Sequence, residues 1–185
     1  MMDFLPTFLD GVYTIQLSPF IDDRGSFSRL FCNHELSRIG LASEIVQVNH
    51  SVNKDKGTIR GMHFQYPPDA EIKIIRCIKG KVFDVVVDLR ENSSTFLKWF
   101  GMELASEKYN MMYIPQGCAH GFQTLEENCE LLYFHTAFYK PTSEGAIRFD
   151  DPMISIQWPL EPVNISLKDK SYPFINDTFR GIQLS

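Results

Sequence analysis

Apolar and polar positions alternate in short runs along most of the chain, the period of half-buried strands. Gly11–Phe20 (GVYTIQLSPF) reads as a first, partly alternating strand, and the turn signal Asp22-Asp23-Arg24-Gly25 leads into an extended Ser26–Phe31. Glu44–Val52 (EIVQVNHSV) alternates well: Ile45, Gln47, Asn49 and Ser51 share one face, and Val46, Val48 and His50 share the other. The loop Lys54-Asp55-Lys56-Gly57 precedes Thr58–Gln65 (TIRGMHFQ). Lys79-Gly80 joins Glu71–Ile78 to Val82–Leu89 (VFDVVVDL), and spacing and turn chemistry predict a hairpin there. Leu97–Leu104, Asn110–Ile114, Gly121–Leu125 and Glu130–Ala137 are further short strands, with Glu126-Glu127-Asn128 turning the chain before the last.

Helical signals are few. Asn33 is a candidate cap for HELSRIG, which Gly40 ends, and Ser166–Ser171 can start a short terminal helix. From Tyr139 to Pro162 the chain is richer in Pro and acid, with Phe149–Asp151 and Ile156–Pro159 as wrapping segments. About ten short strands, with turn signals at roughly 8–12-residue spacing, predict a mainly β fold, a sandwich or jelly roll that can hold a small ligand in its mouth. With no repeats, low-complexity tracts or interdomain linker, one domain is expected over residues 1–185.

Composition adds to this. Fifteen Phe and seven Tyr favour pleated sheet. A net charge of −5 without a basic run counts against nucleic acid, so an anionic ligand would need a local basic pocket. No segment approaches the length of an apolar membrane span, and MMDFLPTFLDG lacks the basic start and long apolar core of a signal peptide, so neither is expected. Cys32, Cys77, Cys118 and Cys129 have no CxxC spacing and sit among apolar residues, which reads as buried free thiols in a reducing cytoplasm.

The chemistry concentrates in TIRGMHFQ and the EIKIIRC that follows, where Arg60, His63 and Lys73 fall within fourteen residues. Met112–Phe122 (MYIPQGCAHGF) returns with His120. An arginine, a histidine and a lysine on neighbouring strands make a compact site for an anion and a proton transfer. Half-buried strands with charges on a solvent face account for this stretch equally well. Arg60 and His63 are an odd number apart, so strict alternation puts them on opposite faces; a β-bulge at Gly61 would turn both the same way.

Read together, DDRGSF (22–27), VQVNHS (46–51), TIRGMHFQ (58–65), KIIRCIKGKVFDVVVDLR (73–90), YIPQGCAHGF (113–122), ELLY (130–133), IRFDDP (147–152), IQWP (156–159) and LKD (167–169) resemble one family. It is that of the nucleotide-diphospho-4-keto-6-deoxysugar 3,5-epimerases, the dTDP-4-dehydrorhamnose 3,5-epimerase family. The resemblance runs from about Gly11 to Asp169. It implies a cupin-like double-stranded β-helix with a few short helices, working as a cytoplasmic homodimer without metal or cofactor. The implied reaction is epimerisation at C5, and C3 as well, of a nucleotide-linked 4-keto-6-deoxyhexose, through an enolate.

That reaction needs a base on one face of the sugar, an acid on the other and a cation at the developing oxyanion. By resemblance His63 matches the base, Asp169 the carboxylate that pairs with it, Lys73 the cation near the C4 oxygen, and Tyr133 the phenol that reprotonates carbon. Arg60, Gln47, Asn49 and His120 match positions around the sugar and diphosphate. Arg24 and Phe27 resemble a segment that reaches the nucleotide, with the dimer interface as one route, and Tyr139 and Glu144 match rim positions.

Metal-binding jelly rolls supply a second histidine where this chain has Gln65, so two histidines and Glu71 make a poor site and no metal is expected. Cys118 beside His120 suggests a nucleophile pair, but a buried thiol is the commoner case. Several positions depart from the family pattern: Phe134 stands for a common lysine, Ala137 and Val48 for frequent aspartates, and Ser28-Arg29 where an acid often follows the aromatic. They leave open a subgroup with another sugar or nucleotide, or with one inverted centre. A 3,4-ketoisomerase of similar fold should lack the Lys73-plus-Tyr133 arrangement. A non-catalytic sugar-nucleotide binding jelly roll would not need His63 and Asp169 together.

Overall fold

In a computed structural model that describes residues 1–41 and 44–184, the alternating runs become strands at nearly every place the sequence marks. The strands are β1 (Met2–Pro6), β2 (Tyr13–Leu17), β3 (Phe20–Asp22), β4 (Gly25–Phe27), β5 (Gln47–Asn53), β6 (Ile59–Gln65) and β7 (Lys73–Lys79). They continue as β8 (Lys81–Asp88), β9 (Trp99–Ala105), β10 (Asn110–Ile114), β11 (Cys118–Thr124), β12 (Cys129–His135) and β13 (Glu144–Ala146). Two short helices, α1 (Asn33–Leu36) and α2 (Leu167–Ser171), complete the elements, with single 3₁₀ turns at Ser37–Ile39 and Ser106–Lys108.

Eleven of the strands form two antiparallel sheets, one of six in the order β1-β2-β10-β7-β12-β5 and one of five in the order β13-β6-β11-β8-β9, and β3 and β4 pair as a separate two-stranded hairpin. From β5 to β8 every successive strand changes sheet, the winding of a jelly roll. Ile75, Cys77, Val82, Val86, Met112, Phe122 and Leu131 fill the space between the sheets. The outer face of the five-stranded sheet carries Met62, Phe64, Val85 and Val87, covered by Ile154, Ile156, Trp158 and Ile182 from the C-terminal segments. On the outer face of the six-stranded sheet, Ile15, Ile74 and Met111 pack under Leu36 and Leu41. The VFDVVVDL run is apolar at both parities because both faces of β8 are covered.

Two local expectations differ from the structure, and two strands lie outside the sequence pattern. Lys79-Gly80 is not a hairpin: β7 and β8 belong to different sheets, and Gly80, at φ 72°, turns the chain from one to the other. An added Cβ on Gly80 would lie 2.9 Å from Cys129 Sγ, so this corner has room only for glycine. The cap of α1 is Cys32 with no side-chain hydrogen bond, and Asn33 is already helical, while Gly40 does close the segment in the left-handed region. Strands β1 and β13 carry little alternation. β1 ends in Pro6 and survives because it is an edge strand, where a missing N–H costs no ladder bond.

The bulge expected at Gly61 is present. His63 pairs with His120 and Arg60 with Phe122, so three steps along β6 oppose two along β11. Gly61 sits at φ 126°, and a Cβ there would approach Gly121 Cα at 2.5 Å. Two glycines back to back let the strands close over the extra residue, and Arg60 and His63 both turn into one cavity. Among the described residues no helix is long and apolar enough to cross a membrane.

Candidate active site

A cavity of about 890 Å³ draws its walls from both sheets: β6, β11 and β13 on one side, β5, β7 and β12 on the other, with residues 164–169 closing one flank. His63 projects from the five-stranded sheet, and its Nε2 lies 2.8 Å from Asp169 Oδ1. Asp169 arrives on α2, whose cap Ser166 accepts the Asp169 N–H at 3.0 Å, so the helix start fixes the carboxylate. Burial pushes the Asp169 carboxyl up, but the hydrogen bond and charge of His63 outweigh it, and the group is held below the usual carboxylate range. With Asp169 accepting the Nε2 proton, His63 Nδ1 is left as the basic nitrogen.

Tyr133 and Lys73 enter from the opposite sheet. Burial pushes the Tyr133 phenol well above its ordinary value, so it stays protonated at neutral pH; its hydroxyl has Ser51 Oγ at 3.5 Å. The Lys73 ammonium is buried, donating to the His63 carbonyl at 3.1 Å and pairing with Glu71 Oε1 at 3.1 Å. Glu71 Oε2 is held by His135 Nδ1 at 2.6 Å, and His135 Nε2 faces Asn49 Nδ2 at 3.3 Å. Burial acts to raise the Glu71 carboxyl, yet the His135 hydrogen bond and the Lys73 charge hold it below the usual range.

His120 repeats the histidine–carboxylate theme deeper in the fold. Its Nε2 lies 2.7 Å from Oδ1 of the fully buried Asp84, while Asp84 Oδ2 has no partner among the described residues. Burial raises the Asp84 carboxyl, against the pull of His120. At the rim, Tyr139 donates its hydroxyl to Glu144 Oε2 at 2.9 Å, and Lys168 Nζ donates to the same oxygen at 2.6 Å. Gln47 sits behind this rim, accepting the Tyr139 N–H at 3.1 Å and donating to Asn49 Oδ1 at 3.2 Å. Glu71, Glu144 and Asp169 are each paired, whereas among the described residues Arg60 makes no ion pair. The protein carries a net charge of −5, yet Arg60 offers an anion an unspent guanidinium.

Ten of the twelve residues marked in the sequence therefore meet here: His63, Lys73, Tyr133, Asp169, Asn49, Arg60, His120, Tyr139 and Glu144 on the wall, and Gln47 behind Tyr139. Arg24 and Phe27 do not. They lie on the β3–β4 hairpin, 89% and 78% exposed, where among the described residues Arg24 pairs only with Asp22. Cys118 is buried, which pushes its thiol up to about 12 and disfavours the thiolate a nucleophile needs. All four cysteines are free, three buried and Cys32 half-buried. No three His, Cys, Asp or Glu side chains among the described residues are grouped to hold a metal.

Sequence reasoning missed Asp84, Glu71, His135 and Lys168. Asp84 left a readable trace, an acid inside the apolar run VFDVVVDL with the parity of Val82 and Val86, which marks it as inward-facing and in need of a partner. Lys168 lies inside the LKD match but was overshadowed by Asp169.

A jelly roll whose two sheets bring a histidine–aspartate pair, a phenol and an ammonium to one open cavity is an acid–base enzyme of the small-ligand class. The sequence profile of the dTDP-4-dehydrorhamnose 3,5-epimerase family matches residues 6–177. The dTDP-4-dehydrorhamnose 3,5-epimerase of Salmonella typhimurium is 40% identical, over 95% of this chain and 97% of that relative. Among solved structures, the epimerase of Legionella pneumophila in complex with dTDP-4-keto-L-rhamnose superposes with a TM-score of 0.90 at 35% identity, covering 94% of this chain and 93% of that one. The Bacillus anthracis dTDP-4-dehydrorhamnose 3,5-epimerase with TDP and PPi bound gives a TM-score of 0.91 at 32% identity, covering 95% and 100%. The chain belongs to the dTDP-4-dehydrorhamnose 3,5-epimerase family, and it is an isomerase.

Proposed function

We propose that the enzyme converts dTDP-4-keto-6-deoxyglucose to dTDP-4-keto-L-rhamnose by inverting C5 and then C3, with His63 as base and Tyr133 as acid. The observation that carries this is the disposition of the two groups: His63 belongs to one sheet and Tyr133 to the other, across a shared cavity. His63 Nδ1 takes the proton from the carbon next to the keto group, and the C–H electron pair moves into the ring to leave an enolate on the C4 oxygen. The Lys73 ammonium stabilises that oxygen. Tyr133 returns a proton to the opposite face, the carbonyl re-forms, and solvent resets the histidinium and phenolate. Asp169 keeps the His63 tautomer fixed and offsets its positive charge. No redox or carrier group is needed for these proton transfers. Arg60, with His120, Asn49 and Gln47, binds sugar and diphosphate, while Tyr139 and Glu144 line the nucleotide rim. The dTDP-4-keto-L-rhamnose held by the Legionella pneumophila relative supports this choice of substrate.

The test is an NMR experiment in D2O with dTDP-4-keto-6-deoxyglucose generated in place by a dehydratase. Deuterium should enter at both C5 and C3; entry at one carbon alone would make this a single-centre enzyme, and bound nucleotide with no exchange would remove catalysis from the reading.

The working unit in this reading is a homodimer in the cytoplasm, the compartment that suits four free thiols. Phe20, Ile21 and Phe27 leave 69%, 69% and 78% of their surface open on one small hairpin, an apolar tip that a second copy would cover. Arg24, on the same tip, then reaches the nucleotide in the other subunit's cavity. Sedimentation should give about 43 kDa, twice the 21.4 kDa chain. Arg24→Ala should raise KM at least about fivefold with little change in kcat. A monomer with full activity, or an R24A enzyme with unchanged KM, sinks the shared site.

A further inference from the structure

We infer that Glu71 is a positioning residue for the reaction: its carboxylate clamps the Lys73 ammonium at the oxyanion position and is itself anchored by His135. This rests on the role proposed for Lys73. The three side chains are buried together on the cavity wall, with relative side-chain exposures of 8% for Glu71, 9% for Lys73 and 10% for His135. One carboxylate oxygen takes Lys73 at 3.1 Å and the other takes His135 at 2.6 Å.

Donor directions fix one consistent chain. Gln47 donates to Asn49 Oδ1, Asn49 donates to His135 Nε2, and His135 therefore carries its proton on Nδ1 and donates it to Glu71. Lys73 closes the chain from the other end, and the Tyr139 N–H, bound to Gln47 Oε1, begins it at the rim. The His135 ring lies nearly parallel to that of Tyr133, with centroids 6.1 Å apart, which holds the network flat against the acid. A buried ammonium without an anion beside it sheds its proton readily. Facing Lys73 are Glu71 from its own approach segment, His63 from β6, and Tyr133 and His135 from β12; on β10 its cross-strand partner is the apolar Ile114. Glu71 is thus the one carboxylate in contact with Lys73 among the described residues. It holds the charge the enolate needs, while His135 takes its other oxygen and fixes the carboxylate in place.

The experiment compares wild type with Glu71→Gln and His135→Gln by two readouts. The first is the titration of Lys73 followed by its 13Cε resonance, assigned with K73M, which requires no substrate. In E71Q Lys73 should titrate at least about one pH unit lower than in wild type. The second is the pH profile of kcat: its alkaline limb should move down with the lysine, and kcat at neutral pH should fall about tenfold or more while KM changes less than about threefold. H135Q leaves the ion pair, so its Lys73 titration should stay within about half a unit of wild type. An unmoved Lys73 titration in E71Q overturns the inference, as does a moved titration with an unmoved kcat limb. A Lys73 titration in H135Q that falls by about one unit or more from wild type transfers the role to His135, and because it is read against wild type it decides the matter even where E71Q does not fold. Wild-type protein without turnover would remove the proposed reaction instead, an outcome the substrate-free lysine titration keeps separate.

Discussion

Replacing His63 with Asn lowers kcat by about three orders of magnitude, roughly 4 kcal/mol of transition-state stabilisation, while dTDP binding stays within about threefold of wild type. The size follows from what is lost. Asn keeps a polar atom near the position of Nδ1 but cannot accept a proton at neutral pH; Glu71 and Glu144 are paired, and Asp169, released by the substitution, lies on the Nε2 side of the ring, away from the reacting Nδ1. Binding is spared because the groups proposed for nucleotide and diphosphate, Arg60 and the Tyr139 rim, make no hydrogen bond to His63 among the described residues. Turnover by NMR and dTDP affinity by calorimetry check the two halves; a loss below about tenfold would move the base elsewhere.

The same substitution carries a stability signature with a definite sign. Asp169 has its carboxyl held below the usual range in the folded protein. Its contribution is complete above the carboxyl's unfolded value, near 4, and is lost as pH falls through the lower folded value. With His63 gone, Asp169 keeps the Gly61 N–H at 3.5 Å and the Ser166 side chain but loses its strongest partner, and H63N should lose about 1–3 kcal/mol at pH 7. The gap between wild type and variant narrows below about pH 4, as Asp169 protonates in both. Denaturation at two pH values separates this cost from the catalytic one.

Much of the site was legible because strand parity constrains which side chains can share a wall. Odd spacing between Arg60 and His63 demanded a bulge, Gly61 offered the place for it, and the register of β6 against β11 contains it. Parity gives faces but not sheets, which is why Lys79-Gly80 read as a hairpin and proved to be a corner between sheets. The partners that tune the site were out of reach for the same reason. His120 finds Asp84 from 36 positions away, and His135 finds Glu71 from 64, because the winding stacks segments that the sequence separates. Arg24 and Phe27 mark another limit: the pattern reads as a turn, and a turn does not tell which cavity it lies beside; in the fold the β3–β4 hairpin stays off the cavity wall.

Replacing Tyr133 with Phe separates exchange from inversion. The variant should still wash deuterium from D2O into the sugar carbon that His63 deprotonates, while formation of inverted product falls about 100- to 1000-fold. His63 and Lys73 remain to form and hold the enolate. The acid still close to it is then the His63 imidazolium, on the face the proton left from. With 35% of its side chain exposed, His63 exchanges its proton with solvent and returns a deuteron with retention of configuration. Tyr133 is suited to the other face because burial keeps its phenol protonated, so that only a base as strong as the enolate draws the proton off. The substitution is structurally mild, since among the described residues the hydroxyl makes one long hydrogen bond, to Ser51 at 3.5 Å, and the ring keeps its packing against His120 and His135. Undiminished inversion in Y133F would require another acid on the six-stranded sheet. Loss of deuterium uptake together with inversion would put Tyr133 in the deprotonation step itself, and with it the assignment of His63 as the sole base would fall.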